Sequence, residues 1–175
     1  MAEVKGRITL VIGGAKSGKS SFALRKAEAF RGKKAYVATA EALDDEMKLR
    51  IEKHRNRRGE EWHTIEEPLK IAGVLKGLGN GYSAAVIDCL TLWLTNLVLG
   101  AGEPESEIGS FLSALKEGGF PPLFVVSNEV GMGIVPDNAL SRRFRDLAGH
   151  LNQEVAASAD EVYLVAAGIP LKIKP

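Results

Sequence analysis

Short, almost entirely apolar segments alternate along this chain with longer segments in which apolar residues recur at helical spacing. The apolar segments, which we expect to be strands, are residues 8–12, 35–39, 84–87, 123–127, 162–165 and a shorter one at 171–173. The segments with helical spacing are residues 18–30, 42–58, 67–78, 90–99, 105–117 and 137–158. Strands without polar alternation are typical of a parallel sheet covered on both faces, and strand–helix alternation favours right-handed crossovers. The pattern predicts an α/β fold with a mostly parallel sheet flanked by helices.

Length, composition and charge limit the kinds of function that the chain can have. The chain has 175 residues and no stretch long enough for a linker, so we expect one domain over residues 1–175. Its 23 Lys and Arg and 22 Asp and Glu give a net charge of +1, and only 6% of residues are aromatic, which argues against nucleic-acid binding. The single cysteine, Cys89, excludes an intrachain disulfide and a cysteine zinc cluster.

The chain shows no predicted targeting or membrane segment. The first apolar run, residues 8–12, stops at Gly13, short of a signal-peptide core, which needs about 7–15 apolar residues. The most apolar window, residues 84–99, is interrupted by Asp88 and Asn96, whereas a membrane span needs about 20 apolar residues. We therefore expect a cytoplasmic protein.

The segment between the first strand and the first helix matches a phosphate-binding loop. Gly13, Gly18, Lys19 and Ser20 fit the pattern G-x-x-x-x-G-K-[ST] in its strand–loop–helix context. In such a loop the backbone N–H groups and the helix N-terminus bind phosphate, the lysine contacts the β- and γ-phosphates, and the hydroxyl binds Mg²⁺. The predicted nucleotide contacts are Gly13, Gly14, Ala15, Lys16, Ser17, Gly18, Lys19 and Ser20.

Asp88 is the candidate second ligand for Mg²⁺. It ends the apolar run that starts at Ala84, and a carboxylate at a strand end is the usual partner of the loop hydroxyl. The alternative is an ordinary strand-end aspartate that caps the helix starting near Thr91. Cys89 is interpreted as a small packed residue rather than a nucleophile.

Residues 44–58 form a segment with acids first and bases last, a distribution that favours a helix. His54 and Arg58 continue the stripe of Met47 and Ile51, and further arginines flank it. His54 could carry a proton or attack a phosphorus atom to form a phosphoramidate. Spacing alone favours a solvated basic face with an incidental histidine.

The chain closely resembles the family of bifunctional adenosylcobinamide kinases / adenosylcobinamide-phosphate guanylyltransferases of adenosylcobalamin assembly. The resemblance runs from Ile8 to Lys174 and is most specific in the strings Asn128-Glu-Val-Gly-Met-Gly-Ile-Val-Pro136 and Arg50-Ile-Glu-Lys-His54-Arg55. The other matching segments are 13–20, 36–39, 43–47, 62–66, 95–97, 143–149, Asn152 and 159–168.

The resemblance implies two reactions. A nucleoside triphosphate phosphorylates the aminopropanol hydroxyl of adenosylcobinamide, and GTP then donates GMP, by way of an enzyme histidine, to adenosylcobinamide phosphate. That histidine corresponds to His54, which reverses the reading from spacing alone. Lys53 stands where some relatives have a second histidine, and His63 and His150 are expected to be structural or exposed.

The resemblance also implies a RecA-like P-loop fold, a homotrimer, and ATP and GTP as substrates with Mg²⁺. Beyond the phosphate loop, the nucleotide contacts that it implies are Thr39, Ala40, Glu41, Arg55, Asn56, Arg57, Arg58, Glu66 and Asp88. The partners that it implies are adenosylcobinamide and adenosylcobinamide phosphate, with no nucleic acid and no membrane span.

The segment after the fourth strand is a candidate substrate loop. It carries Asn128, Glu129, Gly131 and Gly133 and lies at the carboxyl edge of the predicted sheet, where ligands bind in α/β folds. Asn128 is placed to sense a γ-phosphate, and the glycines allow a close approach to a large flat substrate. The alternative is a glycine-rich turn before a helix that Pro136 helps to start.

Two other functions fit parts of the sequence. A P-loop kinase of another small metabolite would need Lys19 and Asp88 but not His54. A RecA-like ATPase or GTP switch would need the phosphate loop alone.

Overall fold

The computed structural model describes residues 6–41, 58–100 and 103–175. Within these residues, one sheet contains the strands β1 (Ile8–Gly13), β2 (Lys34–Ala38), β3 (Trp62–Glu66), β4 (Ala84–Asp88), β5 (Leu123–Asn128), β6 (Glu161–Ala166) and β7 (Ile169–Lys174). Their order across the sheet is β3-β2-β4-β5-β1-β6-β7. Neighbouring strands run parallel except for β6 and β7, which are antiparallel. The predicted mostly parallel sheet is confirmed.

The described helices are α1 (Lys19–Glu28), α2 (Ile71–Leu78), α3 (Leu90–Leu99), α4 (Pro104–Glu117) and α5 (Ala139–Ser158), with a 3₁₀ turn at Gly79–Gly81. Local signals fix several of their ends. The side chain of Asn138 accepts a hydrogen bond of 2.8 Å from the amide of Ser141 and so caps the start of α5. Pro104 lies in the first turn of α4, where a missing N–H costs nothing. The helix predicted over residues 42–58 lies, apart from Arg58, outside the described residues.

Helices cover both faces of the sheet. Leu10 and Val11, which are adjacent on β1, are both fully buried. Leu10 belongs to an apolar cluster with side chains of α2, α3, α4 and α5, whereas Val11 belongs to a second cluster with Phe22 and Ala23 of α1. Because both faces pack against helices, the central strands are apolar throughout, as their sequences predict.

The sequence analysis did not predict the strand β3. It pairs with β2 alone at the edge of the sheet, and His63 and Glu66 on it are exposed. An edge strand tolerates such polar residues, so no continuous apolar run marked it. The helix α2 also begins at Ile71 rather than at residue 67, because the Glu67 carboxylate binds the amides of Leu69 and Lys70 in a turn before it.

The strand order brings three chain segments to one place. β4, β5 and β1 are neighbours, with Gly13 opposite Asn128 and Asp88 opposite Val126. The carboxyl ends of these strands therefore meet at one edge of the sheet, which is where the predicted phosphate loop, the acidic residue and the substrate loop begin.

Candidate active site

The phosphate loop wraps back on itself between β1 and α1. The Lys19 ammonium donates a hydrogen bond of 2.7 Å to the carbonyl of Gly14, and the amide of Ser17 donates to the same carbonyl at 3.3 Å. Gly18, with φ of 96°, takes the left-handed conformation directly before α1, which favours glycine. The local sequence thus forms the cradle that its pattern predicts.

The turn between β6 and β7 packs closely against this loop. The amide of Gly168 donates a hydrogen bond of 2.8 Å to the carbonyl of Ser17. A Cβ atom on Gly18 would lie 3.2 Å from the Cα of Gly168, and one on Gly13 would lie 2.3 Å from the carbonyl oxygen of Val165. Two glycines of the motif are therefore required by the contact with β6 and the β6–β7 turn, which the motif itself does not reveal.

Lys19 is a buried cation. The residue is 7% exposed, and burial lowers the pKa of its ammonium while the nearby carboxylate of Asp88 acts in the opposite direction. A buried ammonium next to a cavity attracts anionic groups strongly because little water screens it. Lys19 is thus placed to bind phosphate oxygens.

Lys19 and the two predicted metal residues, Ser20 and Asp88, line one cavity of about 480 Å³. Its walls are formed by Ala15, Lys16, Gly18, Lys19, Ser20, Ser21, Asp88, Cys89, Leu92 and Asn128. The phosphate loop, the end of β4 and the end of β5 contribute to it together. The structure therefore unites three segments that the sequence analysis had linked only by their expected positions at strand ends.

Asp88 faces this cavity and does not cap α3. Cys89 holds the position before that helix, and no side chain makes a capping hydrogen bond there. One carboxylate oxygen of Asp88 accepts a hydrogen bond of 3.0 Å from the hydroxyl of Tyr36. Burial and, next, the charge of Asp88 raise the pKa of Tyr36 well above its usual value, so this hydroxyl remains a donor at neutral pH.

Cys89 lies beside Asp88 but has the properties of a packing residue. It is 6% exposed, and burial, followed by the charge of Asp88, raises the pKa of its thiol to about 11. Because the thiolate is the nucleophilic form, this thiol is poorly suited to covalent chemistry at neutral pH. The structure thus agrees with the interpretation of Cys89 as a small packed residue.

Three further predicted nucleotide contacts, Ala40, Glu41 and Glu66, lie nearer the β3 side of the sheet. Ala40 and Glu41 follow β2 and are partly exposed, and Glu66 ends β3. β3 lies four strand positions from β1, so at about 4.8 Å per strand Glu66 is roughly 19 Å from the phosphate loop. These residues form a second group beside the phosphate site, not part of its cavity.

Thr39 directly follows β2 and is fully buried. Its hydroxyl donates to the carbonyl of Cys89 at 2.7 Å and accepts from the amide of Cys89 at 2.8 Å. Its own amide donates to the carbonyl of Asp88, and its carbonyl accepts from the side chain of Asn96. In this structure Thr39 therefore ties β2 to the end of β4, next to the metal candidate.

Arg58 contacts Tyr36. Its guanidinium lies 3.7 Å from the centre of the Tyr36 ring, and Nη2 donates a hydrogen bond of 3.2 Å to the hydroxyl of Thr64. His54, Arg55, Asn56 and Arg57, which precede it, lie outside the described residues.

The candidate substrate loop has an anchored start and an exposed body. The amide of Asn128 donates to the hydroxyl of Thr91 at 2.7 Å, and its carbonyl accepts from the side chain of Asn152 at 3.2 Å. Beyond this point, Met132 is 82% exposed and Ile134 is 97% exposed. The loop thus extends an apolar surface from the edge of the phosphate cavity.

Sequence reasoning missed the residues that hold this edge in place. Tyr36, Thr91, Asn96 and Asn152 position the ends of the strands through hydrogen bonds to residues far away in the chain. The available signal was a polar side chain within an otherwise apolar strand or helix face, as with Thr91 and Asn152. His63 and His150, which were expected to be structural or exposed, are both exposed.

The described residues contain neither a metal cluster nor a membrane-spanning helix. Over residues 6–41, 58–100 and 103–175, no three His, Cys, Asp or Glu side chains converge as a metal cluster. Across the same ranges, no helix combines the length and the apolar character needed to cross a bilayer.

A family model described as cobinamide kinase / cobinamide phosphate guanyltransferase matches residues 9–173. The chain is 43% identical to the bifunctional adenosylcobalamin biosynthesis protein CobP of Pseudomonas aeruginosa over 167 residues, covering 94% of this chain and 96% of that protein. It is 42% identical to the bifunctional adenosylcobalamin biosynthesis protein CobU of Escherichia coli over 184 residues, covering 94% and 98%.

Solved structures share the fold at much lower identity. The flagellar accessory protein FlaH from Methanocaldococcus jannaschii superposes with a TM-score of 0.53 at 12% identity, covering 97% of this chain and 79% of that one. The RadB recombinase superposes with a TM-score of 0.50 at 17% identity, covering 91% and 74%. These likenesses concern the fold alone, and they confirm the RecA-like P-loop architecture expected from the sequence.

Proposed function

Because the chain belongs to the cobinamide kinase / cobinamide phosphate guanyltransferase family, we propose that it phosphorylates adenosylcobinamide and then transfers GMP to the product. The relatives are named as bifunctional adenosylcobalamin biosynthesis proteins. The observation that carries the proposal within this molecule is the cavity shared by Lys19, Ser20, Asp88 and Asn128. In this cavity the phosphate loop and an acidic residue lie side by side at the carboxyl edge of the sheet, where the substrate hydroxyl would bind.

The kinase reaction needs positioning and charge stabilisation more than a protein nucleophile. The backbone of residues 13–20 and the N-terminus of α1 hold the β- and γ-phosphates of ATP or GTP. Lys19 balances the charge that develops on the transferred phosphoryl group. The hydroxyl of the aminopropanol arm attacks the γ-phosphorus, the bond to the β-phosphate oxygen breaks, the nucleoside diphosphate leaves, and the hydroxyl proton passes to solvent.

The donors in the cavity fit Mg²⁺. This cation prefers oxygen ligands and is commonly held by one or two protein groups together with substrate phosphates. The hydroxyl of Ser20 and the carboxylate of Asp88 line the same cavity and supply such oxygens. Bound there, Mg²⁺ would neutralise phosphate charge, while the two side chains fix its position relative to Lys19.

The transferase reaction is assigned to His54. A neutral imidazole nitrogen attacks the α-phosphorus of GTP, the bond to pyrophosphate breaks, and GMP is held as a phosphoramidate. A phosphate oxygen of adenosylcobinamide phosphate then attacks the same phosphorus and releases the histidine, which gives adenosylcobinamide-GDP. Arg55, Asn56, Arg57 and Arg58 are proposed to bind the nucleotide during this step, together with Thr39, Ala40, Glu41 and Glu66.

The loop that carries Asn128, Glu129, Gly131 and Gly133 is the proposed corrinoid contact. Its exposed apolar side chains, Met132 and Ile134, suit the face of a large macrocycle whose hydroxyl arm reaches the phosphate cavity. Because an exposed apolar surface beside a cavity often marks a binding site, the loop is the best-placed described segment for this role.

The proposal also covers assembly and location. We expect residues 1–175 to act as one domain of a cytoplasmic homotrimer, as the family resemblance implies. The exposed apolar side chains of the edge strand β7, Ile169, Leu171 and Ile173, support an association between copies. Light scattering should give three times the mass of the 18.8 kDa chain, and a monomer at micromolar concentration would contradict the trimer.

The decisive test of the function is covalent labelling by GTP. Incubation with GTP and Mg²⁺ should add one GMP to the protein, and peptide mass spectrometry should place it on His54. The adduct should be labile in acid and stable in base, as expected of a phosphoramidate. His54→Asn should abolish labelling and adenosylcobinamide-GDP formation while measurable kinase activity remains.

A matched control is His63→Asn, which changes an exposed histidine that stacks on Tyr82. This variant should be labelled normally. Labelling that persists in His54→Asn would move the nucleophile elsewhere, with His63 the next candidate. If the unaltered protein forms no GMP adduct, the chain is a kinase without the transferase step.

A further inference from the structure

Tyr36 connects β2 to the acidic residue of the phosphate cavity. Ala38 of β2 lies opposite Asp88 of β4, so Tyr36 is two residues further from the sheet edge. Two residues along a strand cover about 6.6 Å, a distance that a tyrosine side chain spans. The hydroxyl of Tyr36 accordingly reaches the end of β4 and donates a hydrogen bond of 3.0 Å to Oδ2 of Asp88.

Packing on two sides fixes the position of this hydroxyl. Tyr36 is 6% exposed, and the guanidinium of Arg58 lies 3.7 Å above its ring. The Trp62 ring meets it edge-on, with a centroid distance of 6.4 Å and an interplanar angle of 81°. Arg58 is in turn bound to the hydroxyl of Thr64. The ring is therefore held by its neighbours, and the carboxylate of Asp88 aligns to a donor that is already in place.

We propose that Tyr36 is a positioning residue for the nucleotide-bound cation: its hydroxyl holds Oδ2 of Asp88 and leaves Oδ1 as the oxygen offered to that cation. The inference rests on the proposed metal role of Asp88. A carboxylate fixed before binding does not have to be ordered when the cation arrives, so binding is tighter than to a freely rotating side chain. Tyr36 itself contacts neither the cation nor the substrate.

The test compares nucleotide affinity with and without the cation in three variants. Dissociation constants of α,β-methylene-GTP, a GTP analogue that cannot transfer GMP, are measured by calorimetry in excess Mg²⁺ and again in EDTA, for the unaltered protein, Tyr36→Phe, Asp88→Asn and the double variant. Tyr36→Phe should reduce the gain in affinity due to Mg²⁺ about tenfold and leave the affinity in EDTA unchanged. The double variant should bind no more weakly than Asp88→Asn, because the two residues act through one carboxylate.

A second measurement reads the cation directly. With Mn²⁺ and α,β-methylene-GTP, electron paramagnetic resonance should show weaker retention of Mn²⁺ on Tyr36→Phe than on the unaltered protein. The matched control is Tyr82→Phe, which removes the hydroxyl of a tyrosine that is paired with His63 outside the cavity. This control should change neither measurement.

The outcomes separate this inference from the function on which it rests. If Asp88→Asn keeps the full gain from Mg²⁺, the metal role of Asp88 is wrong. If Asp88→Asn loses the gain but Tyr36→Phe keeps it, the positioning role alone is wrong. If Tyr36→Phe loses nucleotide affinity equally in EDTA and in Mg²⁺, Tyr36 stabilises the nucleotide site as a whole, which also contradicts the proposal.

Discussion

Two glycine-bearing loops leave the same edge of the sheet, and they are built in opposite ways. The phosphate loop, residues 13–20, follows β1, and the candidate substrate loop, residues 129–138, follows the adjacent strand β5. In the first, the Lys19 side chain is buried and the backbone is bonded to the β6–β7 turn. In the second, apolar side chains such as Ile134 are almost fully exposed.

The difference follows from what each loop is proposed to bind. A phosphate chain is recognised by fixed N–H donors and a fixed cation, which stabilise charge most when they need no rearrangement. A large macrocycle is recognised by apolar area, which an exposed loop provides without a specific backbone geometry. Substitutions in the phosphate loop should therefore impair every measured property, whereas substitutions in the candidate substrate loop should weaken only the binding of the substrate.

The largest expected effect is at Lys19. Lys19→Ala removes the buried cation that meets the β- and γ-phosphates, and turnover of the kinase reaction should fall at least about 10²-fold. The measurement is the steady-state rate of cobinamide phosphorylation at saturating ATP or GTP. Arg25→Ala, which removes a cation from the exposed side of the same helix, is the matched control and should retain the rate. Normal phosphorylation by Lys19→Ala would contradict the assignment of residues 13–20 as the phosphate-binding loop.

A pair of glycine substitutions compares the two loops directly. Gly18→Ala places a methyl group 3.2 Å from Gly168 at a φ of 96°, a conformation that costs a residue with a side chain about 1–2 kcal/mol. Its affinity for GTP should fall about tenfold, and its melting temperature should also fall. Gly133→Ala points into open space, so its melting temperature and its affinity for GTP should not change. Equal losses in both variants would show that the loops are not built differently.

A smaller and more selective effect is expected from the exposed apolar side chains. The double variant Met132→Ser and Ile134→Ser should raise the KM for adenosylcobinamide several-fold, because apolar contact with the macrocycle is lost. The affinity for GTP and the melting temperature should stay close to those of the unaltered protein, since neither side chain packs in the core. Leu99→Ser, at a position that is 68% exposed at the end of α3, serves as the control for a change in surface polarity. An unchanged KM in the double variant would remove this loop from the substrate site.

The sequence alone determined the central strands, most of the helices and the phosphate loop. These features are encoded locally: apolar runs such as residues 8–12 require burial on both faces, and the spacing of Gly13, Gly18 and Lys19 allows one backbone path. Asp88 could be found for the same reason, because a polar residue that ends an apolar strand is visible in the sequence. The role of His54 was suggested by resemblance, and it stays a prediction.

Only the tertiary structure decided what supports these elements. The pairing of Tyr36 with Asp88, the contact of Gly168 with the phosphate loop and the edge strand β3 each depend on residues that are distant in sequence or half exposed. Thr39 illustrates the limit, since the family resemblance implied a nucleotide contact there while its hydroxyl is bound to the backbone of Cys89. Local patterns fix which backbone forms, but which polar groups meet depends on strand order and register, and those are set by the packing of the whole sheet.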